Sequence, residues 1–266
     1  MSAAPLSSTD DRAVASASPA FARPSPNANV LLIGAGGIGA PCALALGQAG
    51  VGSLTVVDAD RVDLSNLHRQ VLFSDRDIGR LKIAAFAEQV AALFPAMHVE
   101  IIRARFTAEN ARDLLGRASV VIDATDNFAT RFLVADACHI AQIPVVHTAA
   151  IRFRATVIAA APEGRPCYRC LFEDLPNEPA PDCGTAGVIG PVCGVAGSLA
   201  ADRAVRLLAG DTSATGVITT YDGLRSTLRD VVIRPRADCP LCGAAPQIST
   251  VESFRYAAPA CPATPV

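Results

Sequence analysis

From Asn29 onward the chain alternates short unbroken apolar runs with longer segments whose apolar residues recur every three to four positions. NVLLI (29–33) reads as a strand buried on both faces, GAGGIG (34–39) as a turn, and 40–49 as a helix. SLTVVD (53–58) is the next strand, 80–93 an amphipathic helix, and HVEIIRA (98–104) a third strand, after which Thr107 is placed to N-cap a helix. SVVIDAT (119–125), a helix over 129–142 and PVVHTA (144–149) continue the alternation. Strands separated by helices predict a Rossmann-like α/β fold, with a mostly parallel sheet covered on both faces. Past Ile151 the rhythm changes: a strand (ATVIAA), a Pro-rich acidic link, a helix near 197–208 and two late strands around Val217 and Val231 form an antiparallel C-terminal extension. The expected organisation is a flexible arm (1–28, rich in Ala, Ser and Pro), two halves of one domain (29–150 and 151–247), and a flexible tail (248–266).

Composition narrows this only slightly. At 266 residues and 51% hydrophobic, the chain can build one large core. A net charge of −2 gives no reason to expect nucleic acid or an anionic membrane as partner. No basic segment followed by an apolar run marks a signal peptide, and the uncharged stretch 183–201 has too many glycines, plus Pro191, to read as a membrane span. The expectation is a cytoplasmic protein, in which nine cysteines point to metal or catalysis before disulfides.

CYRC (167–170) and CPLC (239–242) share one spacing. Together Cys167, Cys170, Cys239 and Cys242 supply the four thiolates of a closed tetrahedral zinc site, a zinc knuckle that is structural rather than catalytic. A thioredoxin-like dithiol or unrelated cysteines are the alternatives; a redox pair should open a helix after a strand, whereas both pairs here read as loops. The turn offers Gly34, Gly36, Gly37 and Gly39 between a strand and a helix, where backbone can approach a phosphate. Asp58 ends the next strand at the place where an acid grips a ribose hydroxyl. These features fit NAD as well as ATP. LSNLHRQ (64–70) then adds Asn66, Arg69 and Gln70, and Lys82 starts a helix; a nicotinamide needs no such cationic cluster, but a triphosphate does. DATDN (123–127) ends a buried strand in carboxylates, where Asp126 can hold Mg²⁺ or cap the next helix.

The ordered set GAGGIG, VVDAD, LSNLHRQ, the lysine, ATDN, CYRC, CGTAGVIGP and CPLC resembles the ThiF/MoeB/HesA adenylyltransferases, relatives of the ubiquitin-activating enzymes, from Asn29 to Gly243. The resemblance implies that ATP lies on the glycine loop and Asp58, that Asn66, Arg69, Gln70 and Lys82 contact it, and that Asp126, beside Asn127, binds Mg²⁺. It implies structural Zn²⁺ on the paired CxxC motifs, and makes 151–247 the carrier-binding and zinc-binding half. The implied activity is adenylation of the C-terminal carboxylate of a small ubiquitin-like sulfur-carrier protein ending in Gly-Gly, for thiocarboxylate formation. Cys183 matches a family cysteine that can link covalently to the carrier. The family works as a homodimer, and without a rhodanese-like domain the sulfur would come from a separate donor, of cysteine desulfurase or rhodanese type. TAGVIGP leans toward the thiamin-type members and AAIRF toward the molybdopterin type.

In one respect the chain departs from the family. Its N-terminal aromatic–Arg segment, whose arginine enters the partner's site, has no match beyond Arg12 and Arg23, neither in that setting. That gap keeps a catalytically silent partner of another adenylating subunit as an alternative, and the glycine turn with Asp58 keeps an NAD-dependent oxidoreductase. Cys42, Cys138 and Cys193, among small apolar residues, are expected in the core; Cys261 has no assigned role, and His147 is expected to be a satisfied core histidine.

Overall fold

The computed structural model describes residue 25 and residues 27–176 and 186–257. Eight strands form a single sheet in the order β3-β2-β1-β4-β5-β6-β7-β8. β1 (Asn29–Ile33), β2 (Ser53–Val57), β3 (His98–Ile102), β4 (Val120–Asp123) and β5 (Val145–Ile151) run parallel. β6 (Arg154–Ala160), β7 (Val217–Asp222) and β8 (Thr227–Val232) continue the sheet antiparallel. The mostly parallel α/β sheet with an antiparallel extension is thus the observed fold.

The alternation of side chains along each strand divides the interior into two layers. Val30 and Leu32 face a core with Leu46 of α1 (Gly39–Gln48), Phe86 of α2 (Lys82–Leu93) and Ala204 of α6 (Gly190–Leu208). Leu31 and Ile33 face the opposite core, with Leu115 of α3 (Ala111–Leu115), Phe132 of α4 (Phe128–Ala141) and Tyr168 of α5 (Tyr168–Leu171). Burial on both faces is why these strands read as unbroken apolar runs.

Three expectations are corrected. The helix assigned to Thr107 begins at Ala111, because the Asn110 side chain accepts from the Thr107 N–H and holds the intervening residues in a turn. Helix α6 starts at Gly190, well before 197: Pro191 is preset for a first helical turn, and close packing overrides the glycines. A Cβ at Gly197 would lie 2.6 Å from the Ile38 carbonyl oxygen, so its bare backbone lets α6 approach α1. Finally, residues 248–257 are not a loose tail. Ile248 and Tyr256 are buried, and the Tyr256 hydroxyl donates to Asp136 of α4 at 2.8 Å. Among the described residues no helix is long and apolar enough to cross a membrane.

Candidate active site

The C-terminal ends of β1, β2 and β4 open on a cleft of about 360 Å³, a size that takes a cofactor-sized ligand. Its floor is the glycine turn. Gly34 has φ +100°, and a Cβ there would meet the Ala124 carbonyl oxygen at 2.9 Å, so both conformation and space demand glycine. No side chain caps α1, and the glycine turn that lines the cleft sits at the positive end of that helix. Gly34, Gly36 and Gly37 line the cleft, while Gly39 is buried as the first residue of α1.

Asp58 and the cationic residues form one wall. One Asp58 oxygen accepts from the Ala35 N–H (2.9 Å) and the other from the Asp60 N–H (2.7 Å), so the carboxylate also braces the glycine turn. Asn66, Arg69, Gln70 and Lys82 all line the cleft. Asn66 Oδ1 holds one Arg69 guanidinium nitrogen at 2.5 Å. Gln70 is 3% exposed, and among the described residues its Oε1 has no hydrogen-bond partner. Lys82 is the first residue of α2, where a cation opposes the helix dipole; Asp60, with Oδ2 3.1 Å from Nζ, offsets this. A bound phosphate would offset it further.

Asp126 and Asn127 form the facing wall. The helix cap is Asn127, whose side chain accepts from the Thr130 N–H at 2.9 Å, so capping is not the work of Asp126, which stays exposed to the cleft. Four residues that line the cleft escape the sequence reading as part of the site. Arg131 is buried, donates to the Thr125 carbonyl oxygen and lines the cleft. Its signal was a lone arginine in the first turn of a helix, against the dipole. Asp60 and Arg105 also line the cleft and pair with each other at 3.4 Å. Cys193, expected only in the core, is buried yet lines the cleft beneath Gly37.

Behind the Asp126 turn lies a buried pair. Asp123 accepts from the Thr125 N–H (3.0 Å) and hydroxyl (2.6 Å) with one oxygen, and its other oxygen lies 2.8 Å from His147 Nδ1. Burial alone would raise the Asp123 carboxyl, but the His147 bond and the Arg131 charge hold it below the ordinary carboxylate value. His147 is only half satisfied: among the described residues its Nε2 has no partner.

The cysteines meet on the far side of α4. All four ligand sulfurs of Cys167, Cys170, Cys239 and Cys242 lie within 4.8 Å of one another, and all four residues are buried. Sγ separations of 3.5 Å (Cys167–Cys239), 3.4 Å (Cys170–Cys242) and 3.9 Å (Cys167–Cys170) surround the ~3.8 Å edge of a tetrahedron with 2.3 Å Zn–S bonds. None approaches the ~2.05 Å of a disulfide. The Arg236 N–H donates to Cys170 Sγ at 3.4 Å, as a thiolate needs. The cluster is thus compatible with zinc. CYRC is not a plain loop, since Cys167 precedes the single turn of α5. Arg169 in that turn grips Asp136 of α4 with Nε (2.8 Å) and Nη2 (2.9 Å). Cys183 and Cys261 lie outside the described residues.

Comparison with known proteins agrees with this arrangement. The chain is 40% identical over 233 residues to the SAMP-activating enzyme E1 of Haloferax volcanii, covering 86% of this chain and 85% of that one. It is 41% identical over 218 residues to the sulfur carrier protein ThiS adenylyltransferase of Escherichia coli, covering 82% and 86%. The crystal structure of E. coli MccB with MccA-N7isoASN shares the fold, with a TM-score of 0.72 at 21% identity over 82% of this chain and 67% of that one. The sequence pattern of the ThiF family matches residues 12–241, and the chain belongs to that family.

Proposed function

We propose that the chain uses ATP to adenylate the C-terminal carboxylate of a small ubiquitin-like sulfur-carrier protein ending in Gly-Gly, preparing it for thiocarboxylate formation of the thiamin or molybdopterin type. The observation that carries this reading is one cleft with Asn66, Arg69 and Lys82 on one wall and Asp126 on the other, over a glycine turn at a helix N-terminus. The names of the two 40% identical relatives support it.

The chemistry needs no side-chain base, because the attacking group is already an oxyanion. A carboxylate oxygen bonds to the α-phosphorus of ATP as the bond to pyrophosphate breaks, leaving an acyl-adenylate. Arg69 and Lys82 neutralise the negative charge that grows on the departing pyrophosphate, and the amides of the glycine turn hold the triphosphate in line. Asp58 is assigned to the ribose and Asp126 to Mg²⁺, which supplies further charge neutralisation when bound. Cys167, Cys170, Cys239 and Cys242 are assigned to structural Zn²⁺. Cys183 is assigned to covalent capture of the activated carrier, after adenylation. The working unit is a homodimer in the cytoplasm, served by a separate sulfur donor of cysteine desulfurase or rhodanese type.

The test is ATP–pyrophosphate exchange with and without a carrier. Label should enter ATP only when a Gly-Gly-terminated carrier is present. ATP binding without exchange would indicate a silent partner, and tight NAD binding without exchange an oxidoreductase; either result would overturn the reading.

A further inference from the structure

The half-satisfied His147 lies in a chamber of about 160 Å³ that shares Asp126, Arg131 and Ala150 with the nucleotide cleft. Its floor follows from strand register. His147, Ala149 and Ile151 point to one face of β5, and across the antiparallel pair His147 faces Ile158 while Ala149 faces Thr156. Ala149 is small where its neighbours along the strand are large, and this opens the space. Phe128 of α4 and Tyr168 and Phe172 form the walls. The volume is that of about five waters, enough for a short glycine-like segment.

The polarity of the histidine follows from its partners. Asp123, held ionised, can only accept, so His147 Nδ1 carries a proton, and the tautomer protonated there alone presents a lone pair at Nε2. His147 is 2% exposed, and the Tyr168 ring packs 4.6 Å from its ring. A buried acceptor without a donor is costly, and a ligand N–H would relieve that cost.

We infer that this chamber receives the last residues of the acyl substrate, with His147 Nε2 accepting a hydrogen bond from one of its last two amide N–H groups. The inference rests on the proposed function and adds a specificity residue to it. A narrow chamber beside the Asp126 wall admits glycine-like residues and leaves the terminal carboxylate at the cleft. Asp123 binds both His147 and Thr125, so a tail held at His147 is registered against the turn that carries Asp126.

The experiment measures carrier-dependent exchange with a native Gly-Gly carrier and with two semisynthetic carriers, N-methylated at the last or the second-last amide. With wild-type protein, one of the methylated carriers should show a KM about five- to tenfold higher, with the KM for ATP unchanged. In His147→Phe the native carrier should suffer the same rise, and methylation should then cost nothing more. His147→Gln, which keeps an acceptor, should recover part of the loss. Two methylated carriers as good as the native one would overturn the inference, and this arm needs no variant to fold. If the native carrier itself gives no exchange, the proposed function fails, and the chamber is judged by the ¹⁵N resonance of His147 Nε2 during titration with a Gly-Gly-terminated peptide. A shift at saturation supports the chamber, and an unmoved resonance overturns it.

Discussion

Arg169 and Arg69 both lie in short turns, yet their surroundings differ completely. Arg169 is 3% exposed, holds both oxygens of the fully buried Asp136 and stacks on Phe132 at 4.7 Å. The Tyr256 hydroxyl completes the Asp136 carboxylate. Arg69 is only partly buried, and its side-chain contacts are Asn66 Oδ1, the Ser65 carbonyl oxygen and the His68 ring. At the knuckle, opposite charges meet and are sealed from water. In the cleft, the arginine lies among neutral partners that orient it without neutralising it. A charge must be left uncancelled to stabilise a phosphate, whereas a charge that joins elements must be matched, since an unpaired buried ion is expensive.

The comparison predicts that changes at the knuckle cost stability and changes in the cleft cost rate. The largest effect belongs to the cysteines. Cys170→Ser leaves three thiolates that no longer close a tetrahedron, and stability should fall by several kcal/mol, a large share of a domain's total. Melting temperature with and without a zinc chelator checks this: the chelator should lower it in the wild type and change little in Cys170→Ser. Absence of zinc from freshly purified protein on elemental analysis would remove the premise.

Asp136→Asn comes next. It leaves the buried Arg169 guanidinium with only the exposed Asp174, 3.4 Å away, as counter-charge, for which about 3 kcal/mol is expected. Denaturant midpoints should show it, while ATP affinity measured well below the transition stays near the wild-type value. A change in affinity as large as the change in stability would erase the division between the two regions.

In the cleft the signs reverse. Asp126→Ala should reduce exchange by at least about two orders of magnitude, and Arg69→Ala by about two, the scale of one lost transition-state charge contact. Both should melt within a degree or two of wild type, because Asp126 is exposed and Asn127, not Asp126, caps α4. Lys82→Ala should slow exchange equally while sharpening the comparison, since Lys82 is buried and paired with Asp60. The Asp60 side chain is half exposed, so water can take over that partner.

How much of this was legible in the sequence depended on distance along the chain. The glycine turn, Asp58, the 66–70 cluster and each CxxC pair are local patterns, whose residue types suffice. The Asp123–His147 pair exists because β4 and β5 are neighbours in parallel register, with Asp123 opposite His147. No periodicity within either strand announces that pairing; only a polar residue ending each apolar run hinted at it. Tyr256 meets Asp136 across 120 positions, and a short Ser- and Arg-bearing segment ending in Ala and Pro gave no apolar rhythm to suggest packing. The first turns of α6 carry glycines and Pro191, which by themselves disfavour a helix, and the neighbouring helix that makes glycine necessary there lies far away in the sequence.

The smallest expected effect concerns Cys183, and it separates the two steps of the proposed reaction. The oxygen that attacks the α-phosphorus comes from the carrier's carboxylate, so no thiol takes part in forming the adenylate. Exchange reports that step alone, and Cys183→Ser should stay within about twofold of wild type, far less than the loss expected at Arg69. In the proposed second step the Cys183 thiolate attacks the acyl carbon of the adenylate, forming a thioester and expelling AMP. Any carrier–enzyme adduct seen on a non-reducing gel, with carrier and sulfur donor present, should therefore vanish in Cys183→Ser. Exchange lost in that variant, with folding and ATP binding intact, would place the cysteine in the first step. The separation of charge chemistry from thiol chemistry would then have to be abandoned.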